Sequence, residues 1–379
     1  MIITLVMDQY GEKNNGTTIT AMRLAHGLRE LGHTVRIVTA NKVDEENIYP
    51  TGVRYVPILY EVSKSQGMCF AKANRKVLYE AIRGSDLVHF FLPFKIQRIG
   101  KRIADKLGVP TTAAFHLQPE NITSTIYLNE IKSVNDFIYR KFRKFYNQFN
   151  HIHTPSRMIA EQLKKHGYQS QLHVISNGVS PLFQVKHTPK PLELQDKLVI
   201  VMVGRFSREK RQDLIINAVK NSKYEKDIQL VFAGKGPWLK TLKKLSIGLT
   251  NPPIFNFYTE QDLVQLLNYS DLYVHASDAE IEAISCIEAF TCGVVPIISD
   301  SQISATNQFA LTEHNLFKAG DSIDLCHKME YLIEHPELKI RLRDEYIEYA
   351  KQFNLDHCIR ELESVFIKTI EEYHEKTLK

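Results

Sequence analysis

Glu280 and Glu288 lie between an alternating run, Asp271-Leu-Tyr-Val-His-Ala276, and an apolar run, Val294-Val-Pro-Ile-Ile298. That pattern predicts strand, loop, short helix, strand. Glu280 then falls in the loop and Glu288 a turn or so into the helix, about 12 Å apart along the axis if all of it were helical. The helix start between them, at Ala283 and Ile284, supplies unpaired backbone N–H groups and the positive end of the helix dipole, which suits a diphosphate. Two carboxylates that accept from hydroxyls, one facing a sugar and the other reaching a ribose, flanking an anion cradle, describe a nucleotide-sugar site. The plainer alternative makes Glu280 and Glu282 solvated loop charges and Glu288 an exposed helix residue.

A second set of candidates follows the run Lys197-Leu-Val-Ile-Val-Met-Val-Gly204, apolar at nearly every position as in a buried parallel strand. Gly204 ends it, and Arg205 and Lys210 come just after. Cations at a strand's carboxyl end can neutralise a departing diphosphate, although the neighbouring Arg208 and Arg211 also fit a basic surface loop. Between the first strand and first helix, Asn15 and Gly16 tolerate a left-handed backbone and let the chain approach a ligand, while Thr17 or Thr18 would cap the helix. His116 ends the run Pro110-Thr-Thr-Ala-Ala-Phe115, at another carboxyl end. A single histidine among fifteen is more often structural than reactive.

The stretch from Glu280 to Glu288 resembles the Glu-x7-Glu signature of the retaining glycosyltransferases of family 4, followed by Glu-Ala-x-x-x-Gly ending at Gly293. Val203-Gly-Arg-Phe-Ser-Arg-Glu-Lys210, Phe232-Ala-Gly-Lys-Gly236, Ser176-Asn-Gly-Val179 and Leu31-Gly-His-Thr-Val35 resemble further landmarks of that family in the expected order. The resemblance implies an α/β fold of two Rossmann-like doubly wound domains facing across a cleft (GT-B). It also implies transfer of a hexose from a nucleotide diphosphate sugar with retention, through an oxocarbenium-like transition state. Glu280 would hold the sugar's hydroxyls, Glu288 the ribose, Arg205 and Lys210 the leaving diphosphate, and His116 the transferred sugar. With protein cations at the diphosphate, no metal and no cofactor are expected. The chain departs from the family at Glu280-Ile-Glu-Ala283, where the usual Glu-Gly-Phe-Gly glycines are missing, and at Ala276, where a proline is usual.

A chain of 379 residues is long enough for two domains of roughly 180 residues each. Strand-like runs at 2–7, 34–39, 53–58, 86–91, 110–115, 151–154 and 172–175 alternate with helical stretches, and a second series begins near 197, the pattern of two doubly wound sheets. The polar, proline-bearing segment Phe183–Leu192 reads as the linker between them. The expected division is an acceptor domain over 1–184, a donor domain over 193–356, and a last helix over 357–379 which by resemblance packs back on the first domain. Five cysteines without Cys-x-x-Cys read as free thiols in a reducing cytoplasm. No apolar run reaches the roughly 18 residues of a membrane span, and the N-terminus lacks a signal-peptide pattern.

Charge is uneven along the chain. Up to Lys186 there are 25 Lys or Arg against 14 Asp or Glu, and beyond it 23 against 29. The basic first half suits an anionic surface. In the stretch 132–149, Val134, Phe137, Ile138, Phe142, Phe145, Tyr146 and Phe149 recur at helical spacing with Arg140, Lys141, Arg143 and Lys144 among them. That is either an interfacial helix on anionic lipid or a core helix with a basic outer face. The function expected is a cytoplasmic enzyme, peripheral at the inner face of the cell membrane. It would move a hexose from a UDP-sugar, UDP-glucose or UDP-galactose, to diacylglycerol or a lipid-linked glycan. The alternatives are a soluble sugar or protein acceptor, or a sugar-nucleotide binder without turnover. No nucleic-acid module is recognised, so nucleic acid is not an expected partner.

Overall fold

The computed structural model describes residues 1–11, 16–55, 69–124 and 131–377. The chain forms two compact units, Met1–Asn177 with Leu355–Lys379, and Gly178–Asn354.

In the first unit the described elements are β1 (Ile2–Val6), α1 (Gly16–Glu30), β2 (Thr34–Thr39), β3 (Ile48–Pro50), β4 (Val53–Arg54), β5 (Phe70–Ala71), α2 (Arg75–Ile82) and β6 (Leu87–Phe90). They continue as α3 (Lys95–Leu107), β7 (Thr111–Ala114), α4 (Pro119–Ser124), α5 (Lys132–Tyr146), β8 (His151–Thr154), α6 (Arg157–Lys165) and β9 (Gln171–Val174). The seven-stranded sheet has the order β3-β2-β1-β6-β7-β8-β9, all parallel. Strands such as Leu87–Phe90 are buried at every position, as expected of a sheet with helices on both faces. The expected strand at 53–58 does not join this sheet: Val53 and Arg54 pair antiparallel with Ala71 and Phe70, and 56–60 lie outside the described residues. The sheet edge is formed by β3 instead, a short half-buried strand with Pro50 at its end, where a missing N–H costs no ladder bond.

The second unit contains β10 (Leu198–Val203), α7 (Gln212–Asn221), β11 (Ile228–Ala233), α8 (Leu239–Leu245), β12 (Ile254–Asn256), α9 (Glu260–Tyr269), β13 (Leu272–His275), β14 (Ala279–Glu280) and α10 (Ile284–Thr291). It ends with β15 (Pro296–Ser299), β16 (Ile303–Ser304), β17 (Leu316–Phe317), α11 (Ser322–Glu334) and α12 (Pro336–Ala350). Its parallel six-stranded sheet runs β12-β11-β10-β13-β15-β17, which is the Rossmann order reversing at β10/β13. Phe183, expected in a linker, is 2 % exposed within this unit's core; the aromatic ring outweighs the flanking prolines, and the chain passes between the units at Asn177–Gly178 and again at Asn354–Leu355.

The last helix, α13 (Leu355–Thr377), belongs to the first unit, where Cys358, Ile359, Leu362, Val365 and Phe366 join the core of α1, β1 and β2. Gly27 of α1 makes room for it, since a Cβ there would lie 2.1 Å from Ile359 Cδ1. His33 and His151 bond to Glu363 and Glu372 on its polar face at 2.6 and 3.0 Å. This helix brings six acids to the basic half, so the first unit holds 28 Lys or Arg against 20 Asp or Glu and the second 20 against 23. The charge asymmetry is thus milder than the linear sequence suggests.

The aromatic helix α5 faces the core. Phe142, Phe145, Tyr146 and the following Phe149 are 8 % exposed or less; Phe145 meets Phe90, Tyr146 and Phe149 edge-on, while Phe149 and Tyr146 lie tilted against Phe90 and Phe115, respectively. Each buried ring stabilises the fold by roughly 1.5–3 kcal/mol, and a ring spent there cannot enter a lipid surface. Among the described residues of 131–149, the exposed large apolar side chains are Phe137, 50 % exposed under Lys141, and Ile131, 44 % exposed, and Arg140, Lys141 and Lys144 are exposed as well. Arg143 is turned aside to donate to His166 O at 2.7 Å. None of the five cysteines forms a disulfide, and four of them are buried.

Candidate active site

In the second unit the site is built at the carboxyl ends of β10, β11 and β13. After β10 the chain runs through Gly204, Arg205 and Phe206 to a 3-10 turn, Arg208–Lys210, and enters α7 through Arg211 in the left-handed conformation. Two glycines hold this loop against the end of β11. A Cβ on Gly234 would lie 2.0 Å from Gly204 O, and one on Gly236 would lie 2.3 Å from Phe206 O. The backbones are bonded as well: Gly204 N–H donates to Ala233 O at 2.9 Å, Phe206 N–H to Lys235 O at 3.2 Å and Trp238 N–H to Phe206 O at 3.1 Å. The Gly-x-Gly turn is therefore required by loop-on-loop contact. Gln212 adds a third tie, donating to Arg205 O at 2.8 Å.

Strand alternation puts Tyr273 and His275 on one face of β13. His275 Nε2 lies 3.1 Å from Glu280 Oε1, and because a carboxylate only accepts, the ring donates there. Its Nδ1 lies 3.0 Å from Tyr273 OH, itself 3.1 Å from Ser285 Oγ in the first turn of α10. Lys210 Nζ donates to the same Glu280 oxygen. Burial alone would raise the Glu280 carboxyl, but the Lys210 ammonium and His275 hold it well below the usual carboxylate range. Burial lowers His275, which Glu280 only partly offsets; burial also lowers Arg205, against the opposing pull of Glu209. Glu280 is thus an ionised, buried acceptor in a chain of polar contacts from Lys210 to Ser285.

Local structure explains how Glu280 is presented. It does not sit in an open loop: β14 pairs with β16, Glu280 opposite Ser304. Asp278 N–H donates to Glu209 O at 2.8 Å and Arg211 bonds to Asp278, which ties this segment to the loop after β10. Ala283 then takes φ +65° and ψ +62° before α10 begins. A residue with a Cβ pays about 1–2 kcal/mol in that conformation, so the missing family glycine leaves backbone shape intact and adds strain. Glu282 and Glu288 are 2 % and 8 % exposed, so the solvated alternative for this acidic stretch is set aside.

In the first unit His116 follows β7 and is 4 % exposed. It stacks on Phe91 and meets His153 edge-on, both at 5.4 Å between ring centres. Burial, then the neighbouring His153 and His89, push it well below the ordinary histidine range, so it is neutral. Together with His153, Thr20, Leu24 and Cys358 it lines a cavity of about 20 Å³, room for one water. Gly16 is the first residue of α1, with nothing among the described residues within 4 Å of where a Cβ would stand, so no close packing seen there demands a glycine. Thr17 and Thr18 lie inside the helix and do not cap it, and Asn15 lies outside the described residues.

Sequence reasoning brought out Arg205, Lys210, Glu280, Glu288 and the Ala283–Ile284 helix start, which the second unit gathers at one end of its sheet. It missed His275, Tyr273 and Ser285. The period-2 pattern of Asp271–Ala276 places Tyr273 and His275 on one face, which is the signal that could have found them.

Comparison with known proteins agrees with this construction. The family model Glycosyltransferase Family 4 matches residues 14–181 and Glycosyl transferases group 1 matches residues 184–353. The chain belongs to this glycosyltransferase family, with the GT-B fold. It is 22 % identical to an alpha-monoglucosyldiacylglycerol synthase of Streptococcus pneumoniae, over 79 % of this chain and 71 % of that one. It is 20 % identical to the protein of the same name from Acholeplasma laidlawii over 99 % of both. The solved structure of Anabaena Alr3699/HepE in complex with UDP-glucose superposes with a TM-score of 0.76, at 15 % identity, covering 97 % of this chain and 100 % of that one.

Proposed function

We propose that the protein is a retaining hexosyltransferase that uses a UDP-sugar, UDP-glucose or UDP-galactose, and glycosylates a hydroxyl of a membrane lipid such as diacylglycerol or a lipid-linked glycan. The observation that carries this reading is the ionised Glu280, held by Lys210 and His275 beside the start of α10. An ammonium has three donors, so Lys210 can keep Glu280 while donating to a diphosphate oxygen. Arg205 supplies a second cation where charge grows as the sugar–phosphate bond breaks. Glu280 accepts from the sugar's hydroxyls, Glu288 from the ribose, and the neutral His116 contacts the transferred sugar. With two protein cations at the diphosphate, the reaction needs no divalent metal.

A lipid acceptor is supported by the two relatives, both alpha-monoglucosyldiacylglycerol synthases, and by the basic first unit. No helix among the described residues is long and apolar enough to cross a membrane, and the basic face of α5, with Phe137 and Ile131 beside it, suits peripheral contact with the inner face of the cell membrane. The test is transfer from UDP-glucose, UDP-galactose and GDP-mannose to a panel of lipids with a free hydroxyl, with anomeric configuration read by NMR and EDTA in a parallel arm. Transfer from a UDP-hexose to lipid, with retention and undiminished by EDTA, is expected. An inverted product, strict dependence on added magnesium, or turnover only with soluble acceptors would overturn the corresponding part.

A further inference from the structure

The second unit carries a second concave surface, at the opposite ends of the strands from Glu280. A cavity of about 490 Å³ opens where β13 and β15 begin, between the segment before β10 and helix α12. Its size is that of a small-ligand pocket. The side chains of Lys186, His187, Lys339 and Arg343 line it, and none of them has a hydrogen-bond or ion-pair partner among the described residues. The single carboxylate in the wall, Asp271, is already engaged by Lys190 Nζ at 2.6 Å and by Val199 N–H at 2.8 Å. Positive charge is therefore uncompensated and concentrated in a concavity, in a unit with 20 basic and 23 acidic residues.

The wall is fixed rather than loose. Asn268 accepts the Lys186 N–H and donates to Gln184 O at 3.1 Å and Val264 O at 2.8 Å, which pins the Lys186 segment to α9. Gly293, at φ +81°, lets Arg343 lie across the end of α10, since a Cβ would stand 3.0 Å from Arg343 Nε and 3.3 Å from Val185 Cγ2. Exposed Ile340 and Val185 border the cations.

We propose that this cavity binds a phosphate-bearing anion, with Lys186, Lys339 and Arg343 as its donors. Arginine and lysine side chains pair with phosphate oxygens through short charge-assisted bonds. The anion is a free phosphate ester or the headgroup of a phosphomonoester lipid, and the experiment separates the two.

Lys186 and Lys339 acylation rates are measured by mass spectrometry on the full-length protein with UDP present to fill the donor site. Inorganic phosphate, glycerol 3-phosphate, and vesicles of phosphatidylcholine with or without phosphatidic acid are compared at matched ionic strength. Several-fold protection of both lysines by the soluble phosphates identifies a free ligand; protection by phosphatidic acid vesicles alone identifies a headgroup. Arg343→Gln weakens the protective affinity on the order of tenfold through loss of one charge-assisted contact, Arg343→Lys restores part of it, and sugar transfer and the unfolding midpoint stay unchanged. Equal acylation in every arm, or full protection persisting in Arg343→Gln, overturns the proposal.

Discussion

The two units share a sheet order and end their central strands differently. At the carboxyl ends of the second unit, Lys210, Glu280 and His275 form a charged network that reaches Ser285 through Tyr273. At the carboxyl ends of the first, His116, His153 and Phe91 form a neutral aromatic stack in which burial keeps the histidines uncharged. Under the proposed function, the same scaffold would serve a ligand that gains charge during reaction in one case and a less charged partner in the other. Topology says where a ligand binds; the residues after each strand say which kind.

The largest effect expected from breaking this contrast is in the charged network. Lys210→Ala lowers kcat on the order of 100-fold, as loss of a transition-state charge partner does, whereas Glu288→Ala raises KM and leaves kcat nearly unchanged because the ribose does not change in the reaction. Steady-state kinetics on folded variants separates the two, and equal effects on both parameters in both variants would remove the division of roles.

Of comparable size is membrane contact. Each basic residue near an anionic surface contributes about 1 kcal/mol, so reversing Arg140, Lys141 and Lys144 to Glu should lower partitioning onto anionic vesicles by at least about 100-fold. Arg143 is left in place because it holds His166 O. With the other aromatics of α5 buried, wild-type binding should fall steeply with salt. Sedimentation with liposomes checks both, and salt-insensitive binding would point to apolar insertion elsewhere.

Acid should distinguish the units as well. Burial lowers His89, His116 and His153, the last to about 4. Below the unfolded histidine value of about 6.5, protons bind the unfolded chain more readily than the folded one. The stability these groups contribute is therefore present above that pH and lost as pH falls toward 4. In the second unit His275 is the histidine that burial lowers, and the Glu280 contribution there is kept until pH drops below about 4. Hydrogen exchange at pH 7 and pH 5 should show β7 and β8 loosening more than β10 and β13; equal loosening would break the comparison.

The smallest effect concerns Ala283. Glycine relieves the left-handed strain but widens the unfolded ensemble, so Ala283→Gly should change stability by less than about 1 kcal/mol. An ordinary first-turn Ala→Gly change is destabilising, and thermal unfolding measures the difference.

Much of the fold could be read from the sequence because parallel strands such as Leu198–Val203 are apolar throughout and the helices between them are periodic. The antiparallel β4–β5 pair could not, since two-residue strands carry no period. The orientation of α5 was undecided because Phe142, Phe145 and Tyr146 share helical spacing with Phe137, and only their burial, with Phe145 against Phe90 and Tyr146 against Phe115, tells the faces apart. At the site, the residue types after β10 and β13 were readable. The contact between Lys210 and Glu280, seventy positions apart, depends on β10 and β13 being neighbours in the sheet, which residue types do not state. His275 was one histidine among fifteen, and the cavity near Lys186 is assembled from three distant segments.

The chain enters the second unit at Gly178 and leaves it at Asn354 before α13 completes the first. During synthesis, residues 178–354 are therefore all available to fold while the first unit still lacks Ile359, Leu362 and Phe366 from its core. The later-made unit can finish first. A chain halted at residue 354 should hold a native second sheet and a protease-sensitive first one, so the unit whose sheet is made earlier is the one whose folding waits for the later helix.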